Sequence, residues 1–167
     1  MEGSMAIDAE TKVSESPDHH KEELRLWLRL LATTTLIERE VRGRLRERFQ
    51  VTLPRFDLMA QLDRAEQGMT LGELSRRMMV TNGNVTGLAD RLVTEGLLSR
   101  RTAENDRRTH LVQLTEEGRR QFRKMARAHE RWIADLFAGL APGDIERLMA
   151  LLGKAKESAR KGLGAEA

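Results

Sequence analysis

The stretch AENDRRTHLVQLTEEG, residues 103–118, places two adjacent arginines, Arg107 and Arg108, in a charged run that leads straight into an alternating segment. His110 to Leu114 has the period of a half-buried strand, and Thr115-Glu116-Glu117-Gly118 then carries the signal of a helix start. A second apolar-alternating run, Leu97 to Thr102, precedes it, so the pair predicts a β-hairpin whose loop is the charged turn. Asp106 and Arg108 stand two apart and project to one side of an extended chain, where the carboxylate can fix the direction of the guanidinium. Arg107 points the other way. An ordinary solvated turn is the alternative, since acids and bases collect in such turns; the segments around the hairpin decide.

Upstream, the pattern is helical. Leu24, Trp27, Leu28 and Leu31, then Ile37, Val41, Leu45 and Phe49, recur at spacings of three and four and predict one long helix from about His20 to Phe49. A helix of that length usually packs on more than one neighbour, often on a partner chain. Pro54 opens a second helix, near 54–66, with Phe56, Leu58, Met59 and Leu62 as its apolar set and Gly68 at its end. Thr70 and Glu73 form a capping box for a short third helix with Leu71, Leu74 and Met78 inward. Thr81 caps a fourth, 82–95, with Val85, Leu88 and Leu92 inward and Gly96 as the stop. Downstream of the hairpin, Thr115 caps a long helix to about Gly139, carrying Phe122, Met125, His129, Trp132, Ile133 and Leu136 on one side. A last helix after Pro142 carries Ile145, Leu148, Met149 and Leu152.

The bulk numbers agree with a mostly helical domain: 167 residues, 33% charged, 40% apolar and only 3 prolines. No apolar run approaches a membrane span and no signal-peptide pattern opens the chain. Residues 1–18 lack periodicity and are expected to be a disordered lead-in, with Gly3-Ser4-Met5 resembling a vector junction. The absence of cysteine excludes disulfides and thiolate metal sites and fits a cytoplasmic protein. A net charge of +3 says little about partners; where the 29 basic residues cluster matters more.

Two short capped helices followed by a two-stranded hairpin is the order of a winged helix-turn-helix, mainly α with a small β-hairpin wing. In that architecture the charged turn is the wing, and an arginine held at its tip suits a narrow minor groove. The residues then resemble a known family. Asp106-Arg107-Arg108-Thr109-His110-Leu111-Val112-Gln113-Leu114-Thr115 matches the wing signature D-x-R-x-x-x-V-x-L-T of the MarR family of bacterial transcriptional regulators at every fixed position. TLGELSRRM (70–78) and LADRLVTEGLLSRR (88–101) are similar to that family's helix-turn-helix, and the resemblance covers roughly residues 20–162.

The resemblance implies a homodimer with interlocked first and last helices and two wings astride pseudo-palindromic double-stranded operator DNA. It divides the chain into a lead-in (1–18), a dimerisation helix (19–52), a winged helix-turn-helix (53–115), further dimerisation helices (116–162) and a tail (163–167). It also implies release of the DNA by a small effector, often an aromatic acid, and repression as the commoner outcome. The family's effector pocket lies between the DNA-binding core and the dimerisation helices. Its candidates here are Trp27, Leu31, Phe56, Met59, Met125, His129 and Trp132, with Arg42 and Arg55 to receive an anionic group. Plain core packing is the alternative for each apolar one. MVTNGNVTGLADRLV (79–93) resembles a branch sensing aryl-coenzyme A thioesters, for which the arginine-rich REVRGRLRERF (39–49) could offer a basic site.

On the fourth helix, the inward set leaves Asn82, Gly83, Asn84, Thr86, Gly87 and Arg91 to face outward. Asn suits adenine N6 and N7, Thr a thymine methyl or a phosphate, and the helix N-terminal amides near Thr81 a phosphate. Two glycines in one helix cost about 1 kcal/mol each relative to alanine. Close approach to DNA is one reason for them; tight packing on the third helix is another. Many relatives carry arginine or another long side chain where this chain has Gly87, which shifts the expected readout toward Asn82, Asn84, DNA shape and the wing. Ser75, Arg76 and Arg77 either hold the DNA backbone or form a solvated face.

Other classes fit less well. There is no Gly-rich phosphate loop, cysteine nucleophile or Ser/His/Asp set, so no enzyme and no cofactor is expected. His19, His20, His110 and His129 are scattered, which argues against a metal-responsive regulator of the same fold and against any metal site. A winged-helix module that binds protein would leave the wing arginines and the outward Asn and Thr without a purpose.

Overall fold

The computed structural model describes residues 21–103 and 106–164, and for residues 103, 106–109 and 164 the backbone alone. The lead-in expected over 1–18 and tail residues 165–167 lie outside the described residues. Six helices and one hairpin follow in the order α1 (Lys21–Phe49), α2 (Leu53–Asp63), α3 (Leu71–Met78), α4 (Asn82–Thr94), β1 (Leu98–Ala103), β2 (Asp106–Leu114), α5 (Glu116–Leu136) and α6 (Pro142–Gly164) among the described residues.

α1 is 29 residues long, about 44 Å at 1.5 Å per residue. Glu22 and Glu23 lie in its first turn and Arg46 and Arg48 in its last, each complementing the helix dipole. It ends where Gln50 takes a left-handed φ of 56°, while the Gln50 and Val51 amides donate to the Arg46 and Leu45 carbonyls. Only Val41 and Leu45 are buried on this helix. Leu24, Leu26, Trp27, Leu31 and Leu36 stay exposed.

α2 buries Phe56, Leu58, Met59 and Leu62, the set its periodicity predicts, with Pro54 in its first turn. It stops at Asp63, earlier than expected, and Gly68 is not its terminator. Gly68 (φ +74°) instead lets the chain pass under the hairpin: a Cβ there would stand 2.6 Å from the Val112 carbonyl oxygen. Met69 and Val112 exchange backbone hydrogen bonds of 3.0 and 2.8 Å, which moors the hairpin to the α2–α3 loop.

β1 and β2 pair antiparallel from Leu98↔Leu114 to Thr102↔His110, with a register irregularity at Thr102/Ala103. Leu98, Val112 and Leu114 turn into the core. At the hairpin base Thr115 caps α5 by accepting from the Gly118 amide (3.0 Å), while its hydroxyl donates to the Gly96 carbonyl (2.8 Å). Gly118 is buried against the Leu97 carbonyl, where a Cβ would meet the oxygen at 2.1 Å. That closeness explains a glycine in the first turn of a helix.

The chain divides into two compact units, one through His129 and one from Glu130, a boundary inside α5. In the first, the core centres on Leu45, Leu58, Met59, Leu62, Leu74 and Leu92, all fully buried. In the second, Ile145, Leu148, Met149, Leu151 and Leu152 of α6 are exposed. No helix among the described residues is long and apolar enough to cross a membrane.

Candidate nucleic-acid interface

The α3–turn–α4 unit is set by short-range chemistry. Thr70 accepts from the Glu73 amide (3.2 Å) and Glu73 returns the bond by accepting from the Thr70 amide (2.9 Å), closing the predicted capping box. These bonds, the backbone amide of Thr70 foremost, hold the Glu73 carboxyl below the ordinary range. α3 ends at Met79, which takes a left-handed φ of 54° and leaves its side chain 92% exposed. The turn is locked from inside: Ser75 is buried, its hydroxyl donates to the Val80 carbonyl, and the Val80 amide donates back to Ser75 O (3.2 Å). Ser75 is therefore a brace of the turn, and its hydroxyl is not offered to a DNA phosphate as expected.

α4 begins at Thr81 in an extended conformation, but the Thr81 side chain makes no capping bond. Its hydroxyl is left exposed beside Asn82, Gly83 and Asn84. Val85, Ala89 and Leu92 are buried, and Leu88 only half-buried. Asn84, Gly87 and Arg91, at i, i+3 and i+7, run along the outer face. Gly83 and Gly87 have nothing within 4 Å of a built Cβ. Packing on α3 is thus not what keeps them small. Thr86 does not face freely outward: its hydroxyl donates to the Asn82 carbonyl (2.8 Å), and it lines a cavity of about 440 Å³ with Leu71, Arg100, His110 and Val112. Arg76 and Arg77 are exposed in the last turn of α3, and Arg77 borders a cavity of about 330 Å³ with Asp57, Gln61 and Arg64.

The wing's backbone stands where expected, as β1 and β2, while the side chains of Asp106, Arg107 and Arg108 lie outside the described residues. Two arginines that sequence reasoning did not single out hold the hairpin. Neighbours on a strand point to opposite sides: Arg100 reaches Asp90 of α4, and Arg101 reaches the α2–α3 loop. Arg101 Nη2 donates to the Gln67 carbonyl (2.7 Å) and Oε1 (3.0 Å), and its Nε to Gln113 Oε1 (3.2 Å). The signal was present in the adjacent pair Arg100-Arg101, but their partners Asp90 and Gln67 are distant in sequence. Arg100 thereby ties the hairpin to α4, and Arg101 ties it to the α2–α3 loop.

The expected effector residues fall into different environments. Phe56 packs at a tilt against Phe122 (ring centroids 5.5 Å) and His129 (5.0 Å), and Met59 and Met125 are buried. Burial holds the His129 imidazole below the ordinary histidine range, so it favours the neutral form. Trp132, in the second unit, is buried too. Trp27 (57% exposed) and Leu31 instead face solvent on α1. Both arginines carry a carboxylate partner: Arg42 pairs with Glu38, and Arg55 makes a bidentate pair with Glu95, one bond being 3.0 Å, while Arg55 Nε is buried with no hydrogen-bond partner among the described residues. Within REVRGRLRERF, Arg44 is likewise paired, with Glu40 at 2.7 Å. Among the described residues no group of three His, Asp or Glu is placed to hold a metal ion.

Comparison with known proteins gives this arrangement a place. The MarR family model matches residues 51–110, which run from just before α2 into the first half of β2. YkoM, an HTH-type transcriptional regulator of Bacillus subtilis (strain 168), is 34% identical over 85 residues, covering 51% of this chain and 55% of YkoM. The chain thus matches about half the length of that curated relative. The crystal structure of a MarR family transcriptional regulator from Silicibacter pomeroyi superposes with a TM-score of 0.73 at 31% identity, covering 86% of this chain and 99% of that one. CouR from Rhodococcus jostii RHA1, in a crystal structure bound to p-coumaroyl-CoA, shares the fold with a TM-score of 0.68 at 20% identity, over 76% of this chain and 88% of CouR. These relatives are described as regulators or share the regulator's fold, and none is described as an enzyme. This chain belongs to the MarR family of transcriptional regulators.

Proposed function

We propose that this chain binds double-stranded operator DNA as a homodimer and represses transcription until a small aromatic acid or its coenzyme A thioester releases it. The observation that carries DNA binding is the outer face of α4. Asn82, Gly83 and Asn84 lie exposed at its N-terminus, Gly87 has open space before it, and Arg91 is exposed one turn on. Such a face fits a major groove, with Asn for adenine edges and the N-terminal amides for a phosphate. Arg76 and Arg77 flank it as backbone contacts, and Asp106, Arg107 and Arg108 are assigned to the wing tip. The ties Arg100–Asp90 and Arg101–Gln67 support joint docking of helix and wing.

The homodimer reading rests on the apolar side chains left bare. Leu24, Trp27 and Leu31 on α1 and Ile145, Leu148, Met149 and Leu152 on α6 are exposed in the single chain, and a second copy would cover them. For the effector, the fold shared with CouR, a structure bound to an aryl thioester, supports that ligand class. The Phe56–Phe122–His129 ring cluster with Met59 and Met125 is the place in the first unit assigned to an aryl group.

Asn84→Ala should cost about 1–3 kcal/mol on the operator and little on scrambled DNA, whereas Arg76→Ala should weaken both alike and flatten the salt slope. Equal loss for the two variants on both DNAs would refute the assignment of α4 as the reading helix. Sedimentation at micromolar concentration should show a dimer; a stable monomer would refute that part.

A further inference from the structure

A cavity of about 910 Å³ opens beside the first half of α5, next to the C-terminal end of α4 and the base of the hairpin. Gly96 and Thr115 line it together with Glu116, Glu117 and five cations, Arg119, Arg120, Arg123, Lys124 and Arg127. Two of the five cations are partly answered. Arg119 reaches Asp63 at 3.7 Å, and Arg120 pairs with Glu117. Arg123, Lys124 and Arg127 are exposed and have no hydrogen-bond or ion-pair partner among the described residues. Like charges three and four residues apart on one helix repel and weaken it. From Arg119 to His129 no acidic residue intervenes. Such a stripe is stabilised when an anion sits on it.

We infer that this groove is a binding site for a small organic polyphosphate, a molecule carrying several phosphate groups. Arg120 to Arg127 spans about 10 Å along the axis, too far for a single phosphate but matched to phosphates spaced along a nucleotide or coenzyme. The volume lies within the range of small-molecule sites, roughly 300–1,000 Å³. DNA is the less suitable occupant. Gly96, in the lining, lies past the opposite end of α4 from Asn82, about 20 Å away along the helix, and Thr115 lies at the hairpin base, remote from the wing tip. The site stands apart from the aryl cluster at Phe56, and its existence does not depend on the DNA reading.

Isothermal titration calorimetry of the full chain with sodium tripolyphosphate, at near-physiological ionic strength, tests the site. Saturable binding is expected, and the exposed triple variant R123Q/K124Q/R127Q should weaken it about tenfold or more, while R76Q/R77Q leaves it intact. Operator binding by the triple variant should keep its affinity and salt slope. Absence of saturable binding, equal binding by the triple variant, or equal loss in R76Q/R77Q would each overturn the assignment. So would a triple variant that loses operator affinity with a flatter salt slope, since the stripe would then be a DNA-backbone contact. Thermal melts of both variants should lie no lower than wild type, because all five side chains are exposed and the triple variant relieves like-charge repulsion along α5.

Discussion

Two glycines in helices should respond to alanine in opposite ways, and the contrast separates a fold requirement from a binding one. At Gly118 the added Cβ would stand 2.1 Å from the Leu97 carbonyl oxygen and 3.1 Å from Leu114 Cδ2. The nearest obstacle is backbone, and that carbonyl already accepts from the Thr115 amide at 3.0 Å. Relief requires the start of α5 to move off the hairpin base. Overpacking of this kind costs about 3 kcal/mol at the upper end of its range. Better helix propensity returns about 1 kcal/mol, leaving Gly118→Ala less stable by about 2 kcal/mol. For a chain of this size that lowers Tm by roughly 4–8 °C. Gly87→Ala meets nothing within 4 Å, so only the propensity gain acts, and Tm should rise by roughly 2–4 °C. If α4 enters the major groove, the same methyl should weaken operator binding. Urea and thermal denaturation at one fixed protein concentration, with anisotropy on operator DNA, measure both. A Gly118→Ala protein as stable as wild type would refute the packing argument. A Gly87→Ala protein that binds operator unchanged would remove close approach as the reason for that glycine.

Arg101→Ala breaks the bonds to Gln67 and Gln113 and should cost about 1 kcal/mol of stability; operator affinity should fall as the wing loosens, and unaltered affinity would show that the wing needs no such tie. Thr70→Ala removes the side-chain half of the capping box and should cost about 1 kcal/mol in urea denaturation. The backbone amide of residue 70, the main group holding Glu73 below its ordinary pKa, remains in the variant, so most of the Glu73 contribution should persist, present above the unfolded carboxyl's pKa and fading as pH falls through the folded one. His129 is shifted the same way by burial, with the opposite charge type: the folded chain resists protonation, so stability should drop as pH falls below the unfolded value near 6.5. His129→Phe should remove that part of the pH dependence while keeping a ring against Phe56, and an unchanged profile would count against it. Asp57 is pushed up, first by burial and then by Glu38, so Asp57→Asn should stabilise the fold at neutral pH and lose that advantage in acid.

Local signals carried much of the fold. Helix caps and stops are chemistry between near neighbours, so Thr70–Glu73, Thr115–Gly118 and Gly96 were legible, as were the alternating strands of the hairpin. Readings failed where the deciding partner was distant. Ser75 looked like a surface hydroxyl beside two arginines until the turn folded it onto Val80. Thr86 looked outward by periodicity alone, yet it lines the cavity beside Arg100 and His110 of the hairpin. The pairing of both Arg55 Nη atoms with Glu95, forty residues on, was equally out of reach. Gly68 read as a helix stop because nothing nearby in sequence reveals the Val112 carbonyl above it. Gly83 and Gly87 were ambiguous in sequence, and the open space around both removes packing as their explanation.

The most direct test of the DNA reading is fluorescence anisotropy of the full chain on promoter DNA beside its own gene, against a scrambled duplex, across a salt series and with aromatic acids and their coenzyme A thioesters. Tight, salt-sensitive binding to the promoter, far weaker binding to the scrambled duplex, and release by one of these compound classes is the predicted result. Weak binding that is the same for both duplexes would contradict sequence-specific recognition by α4 and the wing.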